Sequence, residues 1–115
     1  MLRGMTPERI REVVSQFALG AKQVYGSSLQ EIILYGSCAR GDFSADSDID
    51  LLVLLDVPQD RINQERKKII SISDRLDMDY DVVLAPVFQS KQVFDRYLPA
   101  SAFFQNVITE GIRYA

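Results

Sequence analysis

Residues 35–55 read YGSCARGDFSADSDIDLLVLL. The second half, Asp48 to Leu55, is nearly all apolar after its first residues, which predicts a central strand buried on both faces. Residues i and i+2 of a strand share a face, so Asp48 and Asp50 project side by side while Ile49 and Leu51 point the other way. Two like charges so close raise the pKa of one of them unless a cation compensates. Paired carboxylate oxygens of this kind suit Mg²⁺. The first half is a turn. Gly36 permits a backbone approach that a side chain would block. Ser37 adds a hydroxyl donor, a helical turn over Cys38–Arg40 points its N–H groups at an anion, and Arg40 supplies a cation for phosphates. Gly41 to Ser47 is polar and reads as a loop. Each piece alone has an ordinary reading, since acidic residues are common at strand starts and Gly-Ser at turns.

A second acidic element follows. Tyr80 to Ala85 (YDVVLA) predicts a third strand, broken by Pro86. By the same alternation Asp79 and Asp81 share a face, and Asp81 immediately precedes the most apolar residues. If this strand lies beside the second, Asp81 approaches Asp48 and Asp50. Three carboxylates can then hold two ions roughly 3.5–4 Å apart, as in phosphoryl and nucleotidyl transfer. Asp77 and Asp79 are expected nearer the strand's edge, facing solvent.

The rest of the chain supplies a frame. Thr6-Pro7-Glu8 marks a helix start, and Ile10, Val13, Val14, Phe17, Ala18, Ala21 and Val24 form one apolar stripe before Gly26. Leu29 to Tyr35 is a first strand. Arg61 to Asp74 has helical spacing with a charged, solvated face. Val87 to Tyr97 and Ser101 to Glu110 are expected helices, and the ending IRYA a short extended piece. Helix-linked strands in this order predict an α/β or α+β fold, a small mixed sheet packed with helices.

Composition narrows the chemistry. The 115 residues suit one domain spanning 1–115, and 47% hydrophobic content predicts a folded chain. There is no histidine, which removes Ser-His-Asp and Cys-His catalysis and His-containing metal sites. The single Cys38 rules out an intrachain disulfide and a cysteine metal cluster. A net charge of −3 argues against broad electrostatic binding of nucleic acid. No apolar run reaches the roughly 20 residues of a membrane span, and the N-terminus lacks a signal-peptide core, so a cytoplasmic location is expected.

The combination is more specific than its parts. Gly36-Ser37, ten residues, then Asp48-Ile49-Asp50 resembles the GSx10DxD signature of the DNA polymerase β-like nucleotidyltransferase superfamily. The fuller run GSCARGDFSADSDIDLLV is similar to the minimal nucleotidyltransferase (MNT) family, with YDVVLAP at the place of its third strand and FFQNVITEGIRYA like its closing helix. The resemblance implies a polymerase β-like nucleotidyltransferase fold. It implies that Asp48, Asp50 and Asp81 bind Mg²⁺, two ions in all. Gly36 and Ser37 would hold the triphosphate of ATP with help from Arg40 and Ser47, and Asp81 would deprotonate the attacking hydroxyl. Cys38 falls at a variable position and reads as a packed residue. Small proteins of this family resemble antitoxins whose partners are HEPN-domain ribonuclease toxins. That implies AMP transfer to a toxin tyrosine, in a homodimer or a hetero-oligomer with the toxin. Silencing the toxin by contact alone, or nucleotidyl transfer to a small molecule such as an aminoglycoside, are the alternative readings.

Overall fold

The computed structural model describes residues 4–115. Helix α1 spans Pro7–Tyr25 and starts as its residues dictate, with the Thr6 hydroxyl accepting from the Arg9 N–H at 3.1 Å and Pro7 in the first turn. It ends at Gly26, whose φ of 55° suits glycine. A single 3₁₀ turn leads to β1 (Leu29–Tyr35), one turn of helix α2 (Ser37–Arg40), a loop, and β2 (Ile49–Leu55). Two short helices follow, α3 (Ile62–Lys67) and α4 (Ile70–Tyr80), then β3 (Leu84–Ser90), α5 (Lys91–Tyr97), α6 (Ala102–Glu110) and β4 (Ile112–Arg113).

The four strands form one mixed sheet in the order β3-β2-β1-β4. β1 pairs antiparallel with β2 and with β4, and β2 pairs parallel with β3. β2 is therefore central, and Leu51 to Leu55 are fully inaccessible to solvent. Ile49, Leu51 and Val53 face α1 and α4 together with Ile32 and Leu34 of β1. Leu52 and Leu54 face Phe94 of α5 and Val107 of α6. The expected α+β class and doubly covered central strand both hold.

Three expectations are corrected. The helix expected over Arg61–Asp74 is broken near Lys68 and its second half continues to Tyr80, because buried Leu76 extends the apolar face of Ile69 and Ser73. The third strand accordingly runs over Leu84–Ser90 and not over Tyr80–Ala85, and Val87 to Ser90 are strand where a helix start was expected. Pro86 lies inside that strand. It is tolerated because β3 is an edge strand, where the missing N–H need not reach a neighbour.

Gly111 closes the architecture. A Cβ there would collide with the Val107 carbonyl and the Ile33 side chain, and would sit 3.2 Å from the Leu34 carbonyl. The close approach lets the chain turn out of α6 directly onto β1. Gly111→Ala should cost about 1–3 kcal/mol by overpacking; urea unfolding measures it, and an unchanged midpoint would show that the turn relaxes freely.

Candidate active site

The head of β2 carries the chemistry. Asp50 is paired in register with Tyr35, the last residue of β1, so the turn at Gly36 lies against its carboxylate. Gly36 has φ 73°, and a Cβ on it would collide with the Asp50 carboxylate oxygen. Glycine is needed twice over, for the backbone angle and for the space. The turn then winds into α2, with the N–H groups of Ala39 and Arg40 donating to the Gly36 carbonyl at 3.0 and 3.1 Å. The N–H groups that open a helical turn have no partner within it, so those of Ser37 and Cys38 are available to an anion.

Asp48 is exposed and Asp50 half-buried. Burial, and then the neighbouring Asp48 charge, raise the Asp50 carboxyl above its ordinary value, while Arg40 opposes the shift. The carboxylate pair expected from alternation is thus an electrostatic pair. Such a pair beside a glycine turn is a donor set of hard oxygens with room kept open next to it, which fits Mg²⁺. Cys38 is buried, and its thiol lies 3.5 Å from the Asp48 carbonyl. Burial and the Asp50 charge push that thiol up, which disfavours the thiolate, and the side chain packs as expected.

The remaining residues singled out in the sequence are placed less simply. Arg40 is at the surface between two carboxylates, with Nε 3.3 Å from Asp42 and Nη1 3.2 Å from Glu110 at the end of α6. Exposed pairs of this kind exchange readily, so the guanidinium can change partners. The Ser47 hydroxyl accepts from the Ser44 N–H at 2.8 Å and thereby shapes the loop before Asp48. Asp81 is exposed and does not lie in a strand. It ends α4 in the left-handed conformation, φ 53° and ψ 53°. Ser47 and Asp81 line one open hollow of ≈ 280 Å³. Among the described residues no three acidic or thiol side chains converge tightly enough to hold a metal. The three-carboxylate cluster is therefore not assembled: Asp48 and Asp50 are together, and Asp81 stands at the neighbouring hollow.

Two features were not legible in the pattern. Asp77, expected near a strand edge and facing solvent, is half-buried on α4 and accepts from the Leu84 N–H at 2.8 Å. Its carboxyl is raised, first by burial, with the Asp48 charge contributing. The strand reading of DMDYD concealed this, and helical spacing from Ser73 to Asp77 would have exposed it. Tyr80, the residue before Asp81, is held by the Arg9 side chain, which donates to its carbonyl from both Nε and Nη2, while the Tyr80 hydroxyl donates to Glu12 at 3.0 Å. α1 thus clamps the turn that carries Asp81.

A family model described as a nucleotidyltransferase domain matches residues 9–109. The chain belongs to that family. It is a nucleotidyltransferase, and the Gly36 turn and Asp48/Asp50 pair lie within the matched region. Two relatives come from Methanocaldococcus jannaschii. "Putative protein adenylyltransferase MJ0141" is 33% identical over 73% of this chain and 83% of its own. "Putative protein adenylyltransferase MJ0604" is 33% identical over 87% of this chain and 92% of its own. Among solved structures, a chain of a mutant toxin–antitoxin MntA-HpeT superposes with a TM-score of 0.53 at 19% identity, covering 96% of this chain and 73% of that one. A toxin–antitoxin chain crystallised with AMP-PNP gives 0.50 at 19% identity, with the same coverage. At that identity the likeness speaks for the fold.

The raised Asp50 carboxyl has a consequence for stability. The folded nucleotidyltransferase holds the Asp50 proton to higher pH than the unfolded chain does. Stability is therefore lost as pH rises from the unfolded-state carboxyl value through the folded one. Without added divalent cation, Asp50→Asn should unfold at higher urea than wild type near neutral pH, and the gap should close toward about pH 3. Urea midpoints across that range test this; a gap that does not change with pH would contradict it.

Proposed function

We propose that this nucleotidyltransferase moves AMP from ATP to a hydroxyl group of a partner protein. The observation that carries the reading is the abutment of the Gly36 turn on Asp50. It sets a turn with available N–H groups directly against a carboxylate pair, and nucleotidyl transfer needs an anion cradle and carboxylates together. The naming of the two Methanocaldococcus jannaschii relatives as protein adenylyltransferases supports a protein acceptor, and the toxin–antitoxin neighbours support a toxin as that protein. We assign the acceptor hydroxyl to a tyrosine of a HEPN-domain ribonuclease toxin, the partner that the MNT resemblance implies.

In this reading the N–H groups after Gly36, with the Ser37 hydroxyl, hold the triphosphate, and Arg40 releases Glu110 to join them. Asp48 and Asp50 would hold Mg²⁺. When bound, Mg²⁺ offsets the charge of the triphosphate and of the leaving pyrophosphate and makes the acceptor hydroxyl more acidic. The acceptor oxygen forms a bond to the α-phosphorus, the bond between the α-phosphorus and its bridging oxygen breaks, and pyrophosphate leaves. Asp81, across the hollow it shares with Ser47, takes the hydroxyl proton and passes it to water. A ligand role for Asp81 toward a second ion requires its turn to close on the loop before Asp48. Ser47 orients that loop and contributes its hydroxyl to the nucleotide side.

Incubation with α-labelled ATP, Mg²⁺ and the toxin is the direct test. Label should appear on the toxin and fall about 1,000-fold or more in Asp48→Ala/Asp50→Ala. Unlabelled toxin that is nonetheless inhibited, by wild type and double variant alike, would show silencing by contact alone. A finer arm compares two glycines of positive φ. Nothing lies within 4 Å of a Cβ at Gly26, whereas one at Gly36 meets Asp50. Gly26→Ala carries the backbone strain alone, on the order of 1–3 kcal/mol, and Gly36→Ala should lose at least as much because the collision adds to it. Gly36→Ala should in addition lose about 100-fold in transfer by displacing Asp50; equal activity in the two would remove Gly36 from the site.

A further inference from the structure

A second hollow borders the Gly36 turn and shares no lining residue with the one that holds Asp81. It measures ≈ 200 Å³ and lies between the end of β1 and α6, lined by Tyr35, Phe103 and Asn106 together with Gly36, Arg40 and Glu110. Its size falls below the roughly 300–1,000 Å³ of pockets that enclose whole drug-sized ligands. It admits one flat ring and leaves the rest of a nucleotide outside. Phe103 is 45% exposed, an uncommon state for a phenylalanine. The ring is nevertheless braced. It meets Tyr35 edge-on with centroids 5.5 Å apart, and it rests at 5.8 Å on Phe104, which in turn packs at 4.8 Å against buried Phe94. The structure therefore presents a supported aromatic ring to solvent next to the phosphate turn.

We infer that this hollow receives the adenine of ATP, stacked on Phe103 and read by the Asn106 carboxamide. The assignment rests on the reading of the Gly36 and Asp50 site as a nucleotide site. Base-on-aromatic stacking supplies affinity without regard to which base is bound. Selectivity falls to Asn106. Its amide offers one donor and one acceptor side by side, the complement of the adjacent amino group and ring nitrogen on an adenine edge. Gly36 and Arg40 border both this hollow and the triphosphate path, so one nucleotide spans the two without leaving the surface. The separate hollow, with Asp81, is then left for the acceptor.

Calorimetric titration in Mg²⁺ buffer with ATP, GTP and inorganic tripolyphosphate tests this. Phe103→Ala should weaken ATP about tenfold or more and leave tripolyphosphate unchanged, while Phe103→Trp retains ATP binding. Asn106→Asp exchanges the donor for a second acceptor, so the ratio of ATP to GTP affinity should fall at least several-fold. ATP affinity equal to wild type in Phe103→Ala would overturn the adenine assignment while leaving the phosphate site standing. Failure of wild type to bind either ATP or tripolyphosphate would overturn the nucleotide reading itself and this inference with it.

Discussion

The pairing of β2 with a strand on either side is the constraint on which the site depends. Both faces of β2 are covered, so its last five residues are apolar and fully buried. Charge can be carried only at its head, where the sheet opens to solvent. Asp48 and Asp50 occupy that end, on the face shared with Leu52 and Leu54. A carboxylate one pair deeper would face the full cost of desolvation, and one further out would lose its fixed direction. The raised Asp50 carboxyl reflects the compromise: the group is buried enough to be oriented and still reaches solvent.

The elements around that strand divide the labour. α1 and α4 cover one face and support the turn that bears Asp81 through Arg9 and Tyr80. α5 and α6 cover the other face behind the carboxylates and stop short of them, leaving Phe103 and Glu110 beside the Gly36 turn. Glu110 and Asp42 hold Arg40 in the free protein, standing where phosphates would compete. A surface ion pair contributes little, so in the proposed function exchanging these carboxylates for phosphates would oppose nucleotide binding only weakly. Under the proposed function, nucleotide and acceptor would take separate hollows, one lined by Phe103 and the other by Asp81.

Much of this was legible in the sequence because it depends on local geometry. The alternation of Asp48 and Asp50, the buried run that follows, the special need for glycine at 36 and the cap of α1 are properties of residues within a turn or two of one another. The stretch DMDYDVVLAP was not readable in the same way. Its acidic and apolar residues alternate as in a strand, and they also fit the end of a helix whose apolar residues are Ile69, Ile72 and Leu76. Packing of α4 against α1 decides in favour of the helix, and it moves Asp77 inward and Asp81 out into a left-handed turn.

The sequence by itself determined the class of fold, the carboxylate pair and its glycine turn, and, by the absence of histidine, chemistry confined to carboxylates, hydroxyls, guanidinium groups and bound ions. Tertiary structure alone decided where α4 ends and β3 begins and that Pro86 could sit on an exposed edge. It alone joined Arg40 to Glu110 and set Phe103 over Tyr35. The reason is distance along the chain. The first set follows from backbone periodicity and local sterics. The second consists of contacts between residues far apart in sequence, such as Arg9 with Tyr80 and Arg40 with Glu110, and no local pattern encodes their partners.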